Sequence, residues 1–279
     1  MFRTALIIIL SFFYLNLFSQ NEEQKYINAI QDTLRPLSKI ILDINKTEEE
    51  RLLANIQLKV VLKRCLEKDG AEHFIFDSLP AIARLFPDDK SFVIFNWELP
   101  HSDGTYSYFA FVLHKLKNDR TYRITELTDA SAYIKRPETA ILKANQWFGA
   151  HYYKIIKVKS KGKYYYCLLG ADWNDRLSKK KLMEVMSFEP DGNIKFGAPI
   201  INYNKQTLNR LIFEYSSKVS MAFNYDEKSK RIIFDHLSPI EKELKGQYQF
   251  YAPDLSYDAL KFKKGKWQHK ENIDARNKD

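Results

Sequence analysis

The stretch HYYKIIKVKSKGKYYYCLLG (151–170) decides the fold, because it holds two alternating runs around a two-residue turn. Apolar and polar side chains alternate on both sides of Lys161-Gly162, which is the period of two typical of β-strands. Glycine in a two-residue reversal favours a tight hairpin, and a tight hairpin makes its strands antiparallel. The sequence therefore predicts an antiparallel hairpin here.

The register of this hairpin follows from the position of its turn. With Ser160 opposite Lys163, residues of like character face each other across the two strands. The predicted pairs are Ile156–Cys167 and Val158–Tyr165 on an apolar face, and Lys157–Tyr166 and Lys159–Tyr164 on the other face. Lysine stems lying on tyrosine rings suit a half-exposed face. The apolar face, with Cys167, should therefore point into the core.

Further hairpins surround this one. Their turn segments are rich in Gly, Asp and Pro, which suit tight reversals. They are PHSDG (100–104), NDR (118–120), PDG (190–192), DEKSK (226–230) and KG (264–265). Residues 91–279 are therefore predicted to form a large antiparallel β-meander of roughly a dozen strands, in a sandwich- or barrel-like sheet. One helix, over 136–148, is expected within it.

Residues 20–90 are predicted to be helical. An apolar stripe with spacings of three and four is formed by Ile27, Ile30, Leu34, Leu37 and Ile41. Pro36 lies within it and predicts a kink or two short helices. Thr47 and Glu50 have the capping-box spacing at the start of a second helix, which Gly70 should end. A short third helix is expected over residues 81–85.

The expected fold class is therefore α+β, with N-terminal helices packed on the antiparallel meander. The periodicity changes from helical to alternating near residue 90, which is the best candidate for a domain boundary. No Gly/Ser/Pro-rich linker marks that point. The helices and the β-rich region could therefore also form one domain.

The first residues predict a secretory signal peptide at 1–19. One positive charge in MFRT (1–4) precedes the uncharged stretch ALIIILSFFYLNLF (5–18), and small or polar residues follow. This stretch is shorter than the roughly 20 apolar residues that span a bilayer as a helix, and an uncleaved anchor is the alternative. No later segment is apolar for long enough to cross a membrane. We expect a soluble mature protein, exported to the periplasm or the extracellular space.

The chain is basic, with 44 Lys+Arg against 35 Asp+Glu and a net charge of +9. Such a charge suits nucleic acid, anionic lipid or acidic glycan. The lysines are spread along the chain and interleaved with acids, which favours an ordinary solvated surface. Export disfavours nucleic acid as a partner.

The two cysteines, Cys65 and Cys167, each lie in apolar surroundings. Separate buried thiols are therefore favoured. A disulfide between them is the alternative in an exported protein.

Local catalytic motifs are absent. The sequence has no G-x-S-x-G, no H-E-x-x-H, no paired C-x-x-C, no phosphate-binding glycine loop and no dinucleotide fingerprint. This excludes the enzymes that depend on such motifs. Hydrolases with dispersed carboxylates leave no local trace and stay open.

GADWNDR (170–176) is the most polar candidate site. Its candidate residues are Asp172, Trp173, Asn174 and Asp175. Their oxygens suit calcium, but Arg176 stands at the third ligand position of the helix-loop-helix calcium pattern, so we expect no metal. Turn or cap chemistry is favoured over a ligand contact. The tryptophan is expected to anchor the loop, whereas an exposed ring would indicate sugar stacking.

Two further stretches carry acidic or histidine side chains. In FDHLSP (234–239), Asp235 and His236 are neighbours on a strand and should point to opposite faces, which disfavours a general-base pair. FYAPDLSYD (250–258) places tyrosines and aspartates around a proline, and Asp254 is its candidate ligand-binding residue. Such rims occur at polysaccharide-binding faces and equally at sheet ends.

By FDHLSP, YQFYAPDLSYDAL (248–260) and GKW (265–267), the chain resembles an uncharacterised family of exported proteins from Bacteroidota-type bacteria. The resemblance covers mainly residues 150–279. It implies export and a bacterial envelope or extracellular setting. It brings no activity and no assigned catalytic residues.

These patterns favour an exported, non-enzymatic binding or envelope-associated protein whose partner is a cell-envelope glycan or protein. No cofactor is expected. One alternative is a secreted, glycan-directed hydrolase with dispersed acids such as Asp172, Asp175 or Asp254, indicated if one of them meets another carboxylate in a cleft. Another is a structural partner of an envelope assembly that docks through its helices.

Overall fold

The computed structural model describes residues 25–68, 70–71, 74, 79–115 and 122–274. The signal peptide predicted at 1–19 lies outside these residues. The chain divides into two compact units, one ending at Ala81 and the other beginning at Ile82. Helices come first and a strand-rich body with antiparallel sheets follows, which confirms the predicted α+β class.

Within its described residues, the first unit contains two α-helices, α1 over residues 25–42 and α2 over Glu48–Leu66. Helix α1 continues through Pro36, so the expectation of two short helices is wrong. Its buried stripe, which includes Leu34 and Ile41, runs along both sides of the proline, and this packing offsets the lost hydrogen bond. None of the helices in the described part of the chain is long and apolar enough to span a membrane.

The predicted capping box at the start of α2 is confirmed. The Thr47 hydroxyl oxygen accepts from the Glu50 amide at 3.2 Å, and the Glu50 carboxylate accepts from the Thr47 amide at 2.8 Å. These bonds satisfy amides that the helix itself leaves free. The helix ends at Leu66, before the predicted stop at Gly70.

Two helices predicted in the second unit are wrong. Residues 83–85 form a strand that pairs with the strand after it, and this pairing satisfies the backbone groups that a helix would satisfy internally. The segment 136–148 contains turns, a short strand at Leu142–Lys143 and a 3₁₀ turn at Ala144–Gln146. Its Glu138 carbonyl accepts hydrogen bonds from two amides of a distant segment. Long-range pairing overrides local propensity in both places.

The strands of the second unit form three sheets rather than one meander. The first sheet has the order β1-β2-β3-β4, with the bounds Ala83–Leu85, Phe92–Pro100, Tyr106–Lys115 and Tyr122–Thr128. The second has the order β5-β9-β8-β7-β6, with β12 paired to β8. Its bounds are β5 Leu142–Lys143, β6 His151–Ser160, β7 Lys163–Asp172, β8 Ser178–Phe188, β9 Ile194–Phe196 and β12 Arg210–Ser216.

The third sheet has the order β11-β10-β16-β15-β14-β13. Its bounds are β10 Ile201–Tyr203, β11 Gln206–Leu208, β13 Phe223–Asp226, β14 Arg231–Pro239, β15 Tyr251–Lys263 and β16 Lys266–Lys270. Strands β10 and β16 are parallel, whereas the hairpin neighbours are antiparallel. The prediction that all strands follow one another in a meander is therefore wrong for this sheet, because β10 pairs with β16, which is distant from it in the sequence.

The second sheet is the middle layer of the unit, and its strands β7 and β8 are buried on both faces over most of their length. Cys167 and Met183 share one apolar core with Phe234 and Trp267 of the third sheet. Leu168 of β7 and Leu182 of β8, which alternate with them along the strands, share another core with residues of the first sheet. Burial on both faces explains why the run YCLL (166–169) is apolar throughout.

The predicted register of the β6–β7 hairpin is confirmed at every pair. Ile156 lies opposite Cys167, and Ser160 lies opposite Lys163. The ammonium of Lys157 lies 4.1 Å from the ring centroid of Tyr164, so lysines do cover tyrosine rings on the outer face.

The two cysteines are free and buried, as predicted. Burial raises the pKa of the Cys65 and Cys167 thiols to about 12. The Trp267 indole N–H points at the sulfur of Cys167 over 3.2 Å. Both side chains therefore serve packing, because a thiol with such a pKa stays protonated and is a poor nucleophile at neutral pH.

Candidate ligand-binding site

The loop between β7 and β8 is organised by Asp172, the last residue of β7. The residue lies opposite Lys180 in the antiparallel ladder. Its Oδ1 accepts hydrogen bonds from the Tyr108 hydroxyl at 2.9 Å and from the Asn174 amide at 2.7 Å. Its Oδ2 accepts from the ammonium of Lys180 at 3.3 Å. The carboxylate is buried, and these partners stabilise its charge.

Asn174 adopts a left-handed backbone conformation, with a φ of 51°, which asparagine tolerates better than most residues. Its side-chain oxygen accepts from Lys180 at 2.5 Å, and its amide nitrogen donates to the Ser178 hydroxyl at 2.7 Å. The side chain therefore bridges the two ends of the loop.

Asp175 closes the turn. Its Oδ1 accepts from the amides of Leu177 and Ser178 at 2.7 and 2.9 Å. These are the local side-chain-to-backbone bonds that aspartate makes in turns. The hydrogen bonds of this carboxylate join residues of the loop, so Asp175 shapes the turn and does not line the cavity described below.

Trp173 anchors the loop. Its ring is half-buried and packs against the core between the first and second sheets. Its backbone N–H donates to the Tyr108 hydroxyl at 2.6 Å. The ring is thus engaged in packing against that core.

A second carboxylate, that of Asp129, is fixed on the opposite side of Tyr108. Its Oδ2 accepts from the Tyr108 amide at 3.3 Å, and its Oδ1 accepts from the amide and hydroxyl of Ser131 at 3.0 and 2.6 Å. Gly149 donates to the same Oδ1 at 3.2 Å. A Cβ atom on Gly149 would lie 2.3 Å from the carboxylate, so only glycine permits this approach.

An open cavity of about 340 Å³ lies between these groups. Asp129 and Asp172 line it together with Asn174 and Lys180. The ring of Tyr133, whose residue is 87% exposed, stands at its edge. The cavity therefore combines fixed hydrogen-bond acceptors, one ammonium group and an exposed aromatic face.

The electrostatics of the cavity centre on the tyrosine between the carboxylates. Burial, reinforced by the charge of Asp172, holds the pKa of Tyr108 well above its usual value. The phenol therefore stays protonated and acts as a hydrogen-bond donor at neutral pH.

The remaining predicted site residues lie elsewhere. Asp254, in β15, accepts hydrogen bonds at Oδ1 from the amide and hydroxyl of Ser256 at 3.0 and 2.6 Å, so it makes a local turn. Asp235 accepts from the Ala222 amide at 2.6 Å, and His236 pairs with Asp258 at 2.9 Å. Asp235 and His236 thus take different partners, as their neighbouring positions on a strand predicted.

No sequence pattern identifies Tyr108, Asp129 or Tyr133 as residues of the cavity. The aspartate is followed two positions later by a serine that donates to it, a common turn pattern without functional specificity. The tyrosine in β3 is 64 residues from Asp172, and no local signal marks a contact over that distance. Tertiary packing alone brings these residues together.

Within the described residues, no group of three or more His, Cys, Asp or Glu side chains is arranged to hold a metal ion. Comparison of the chain with protein-family models, with curated proteins and with solved structures finds no match.

Proposed function

We propose that this chain is an exported binding protein without enzymatic activity, and that it takes a cell-envelope glycan in the cavity beside Tyr108. The observation that carries the proposal is the convergence of Asp129, Asp172 and Lys180 next to the exposed ring of Tyr133. Export rests on the signal peptide predicted from the sequence.

The polar wall of the cavity suits a ligand with many hydroxyl groups. Such a ligand needs fixed donors and acceptors, and this wall offers carboxylate, amide and ammonium groups within one cavity. Their positions are set by bonds to the protein, so little conformational entropy is lost when a ligand binds. The ring of Tyr133 adds an apolar face with a polar tip.

The hydrogen bonds to the two carboxylates favour binding over catalysis. A general acid or nucleophile needs an oxygen that reaches the substrate. Asp172 already accepts from three groups, and Asp129 accepts from Tyr108, Ser131 and Gly149. These contacts indicate that both acids orient the cavity wall.

A glycan-directed hydrolase is the second candidate, because two carboxylates do line the same cavity. Hydrolysis of a glycosidic bond uses a pair of acids on either side of the bond. In this candidate, Asp129 is the second carboxylate of the pair, next to Asp172, and no sequence pattern identified it. Asp175 and Asp254 do not line this cavity, which leaves them outside the hydrolase candidate.

The test is a thermal-shift screen of the chain from residue 20 onwards against a panel of envelope glycans, followed by calorimetry. A glycan that binds the native state raises the melting temperature. Tyr133→Ala should weaken its binding about tenfold, equivalent to roughly 1.4 kcal/mol. Tyr248→Ala, which removes an exposed ring outside this cavity, is the matched control and should leave binding unchanged.

Two results would overturn the proposal. One is a panel in which no glycan raises the melting temperature. The other is the release of reducing ends from a bound glycan by the wild-type protein, lost in Asp129→Asn, which would establish the hydrolase instead.

A further inference from the structure

A second cavity, of about 300 Å³, lies where β12 of the second sheet meets β14 and the 3₁₀ turn Tyr248–Phe250. Tyr203, Tyr248 and Tyr251 line it together with two acids, Glu214 and Asp235. We propose that this cavity binds an organic ammonium group, such as a primary or quaternary amine. The site is separate from the glycan cavity and does not depend on the function proposed for it.

The tyrosines provide aromatic faces. The rings of Tyr248 and Tyr251 are 5.2 Å apart between centroids and tilted by 52°. The ring of Tyr203 packs edge-on against Phe213, with a centroid distance of 5.5 Å, which fixes its orientation. The face of an aromatic ring is the negative end of its quadrupole, so a cation seated among such faces is attracted to them.

The acids give the cavity a negative charge on a chain whose net charge is +9. No Lys or Arg lines it among the residues that the structure describes. Glu214 uses Oε1 to accept from the Ser178 hydroxyl at 2.6 Å, and Asp235 uses Oδ2 to accept from the Ala222 amide at 2.6 Å. Each carboxylate is thereby held in place by one oxygen.

Among the described residues, His236 is the one titratable base in the lining, and a buried acid balances its charge. Its Nδ1 lies 2.9 Å from Oδ2 of Asp258, which is 1% exposed. His269 bonds to the same oxygen through Nε2 at 3.1 Å, and the Asn272 amide donates to Oδ1 at 3.0 Å. The protonated imidazole and Asp258 form a neutral pair, which leaves Glu214 and Asp235 as the acids that give the lining its negative charge.

This combination discriminates between ligands. An anion meets two carboxylates and is repelled. A neutral molecule of the same shape gains contact with the rings and gains nothing from the charges. An ammonium group gains from both the rings and the charges. The specificity of the cavity is the difference in binding free energy between the ammonium group and the neutral molecule.

The experiment is an NMR titration of ¹⁵N-labelled protein, from residue 20 onwards, with tetramethylammonium chloride, n-butylammonium chloride and neopentyl alcohol. Sodium chloride keeps the ionic strength constant, because surface charge interactions respond to salt. Both ammonium salts should shift amide signals in residues 203, 234–237 and 248–251 to saturation. The alcohol should bind with an affinity at least about fivefold lower, because it lacks the cation–π interaction.

Two variants test the groups separately. Tyr248→Ala removes a ring that is 47% exposed, and Glu214→Gln keeps an acceptor for Ser178 while removing the charge. Each should weaken tetramethylammonium binding about fivefold. Tyr133→Ala and Glu189→Gln, which change an exposed ring and an exposed acid outside this cavity, are the matched controls and should bind as the wild type does.

The proposal is overturned if no ammonium salt shifts these signals, if the alcohol binds as tightly as the cations, or if both cavity variants retain wild-type affinity. Because Tyr133 and Tyr248 lie in different cavities, failure of this proposal and failure of the glycan proposal give different results.

Discussion

The hydroxyl of Tyr108 donates a hydrogen bond to Oδ1 of Asp172 over 2.9 Å, and both residues are buried. The same hydroxyl oxygen accepts the N–H of Trp173, and the backbone N–H of Tyr108 donates to Asp129. One residue of the first sheet thus positions both carboxylates of the cavity and the tryptophan that anchors its loop.

Replacing Tyr108 with phenylalanine removes the hydroxyl and keeps the ring. Asp172 then loses a donor and the Trp173 amide loses an acceptor, and groups left unpaired in the interior cost about 1–3 kcal/mol. We expect the free energy of unfolding to fall by about that amount, measured by urea denaturation. Tyr133→Phe changes an exposed tyrosine and should have no effect. A Tyr108→Phe protein as stable as the wild type would show that the hydroxyl does not hold the loop.

A buried ion pair joins β8 to β12. Glu184 and Arg210 lie directly opposite each other, both side chains are fully buried, and the guanidinium donates to the carboxylate. Burial raises the pKa of Glu184 above its usual value, although Arg210 acts in the opposite direction. The carboxyl therefore depends on its partner to stay ionised in the interior.

Arg210→Met should lower the free energy of unfolding by about 3–5 kcal/mol, because it leaves a buried acid without its counter-charge. The double variant Glu184→Leu/Arg210→Met should cost less than this single change. The loss of stability in Arg210→Met should grow as the pH rises above about 4.3, the ordinary pKa of a glutamate, because a buried carboxyl with a raised pKa must then give up its proton and carry an unpaired charge. Lys230→Met breaks an exposed pair with Glu227 and is the control, with an expected effect of about 0–1 kcal/mol. Urea unfolding at several pH values measures all of these, and equal losses for both pairs would contradict the prediction.

His236 should make stability depend on pH near neutrality. A hydrogen bond to Asp258 raises the pKa of His236 despite partial burial, and the charges of Asp258, Asp254 and Glu271 add to this. An unfolded histidine has a pKa of about 6.5. The stabilising contribution is therefore complete below that pH and is lost as the pH rises through the higher folded value.

Relative to His236→Gln, the wild type should lose free energy of unfolding as the pH rises above about 6.5. Urea denaturation at one-unit pH intervals measures the difference. His114 provides an internal comparison of opposite sign, because burial lowers its pKa to about 4. Its contribution is complete above about pH 6.5 and is lost as the pH falls towards 4. A constant difference between the wild type and His236→Gln across the range would refute the role of Asp258.

Local patterns predicted the elements whose bonds are local. The register of the β6–β7 hairpin follows from a two-residue turn and a period of two, and the capping box from two residues three positions apart. The predicted helices at 81–85 and 136–148 failed because distant strands supply partners for those backbone groups. Of the candidate residues in GADWNDR, Asp172 and Asn174 line the cavity, while Trp173 and Asp175 support the loop.

Local sequence patterns are enough to predict the α+β class, the hairpins and the turn chemistry, because hydrogen bonds and side-chain alternation over a few residues specify them. Only the tertiary structure decided that the strands divide into three sheets with the second buried on both faces. It also decided which side chains meet in the two cavities. Those contacts join residues far apart in the chain, and packing between sheets leaves no periodic mark that would reveal which residues come into contact.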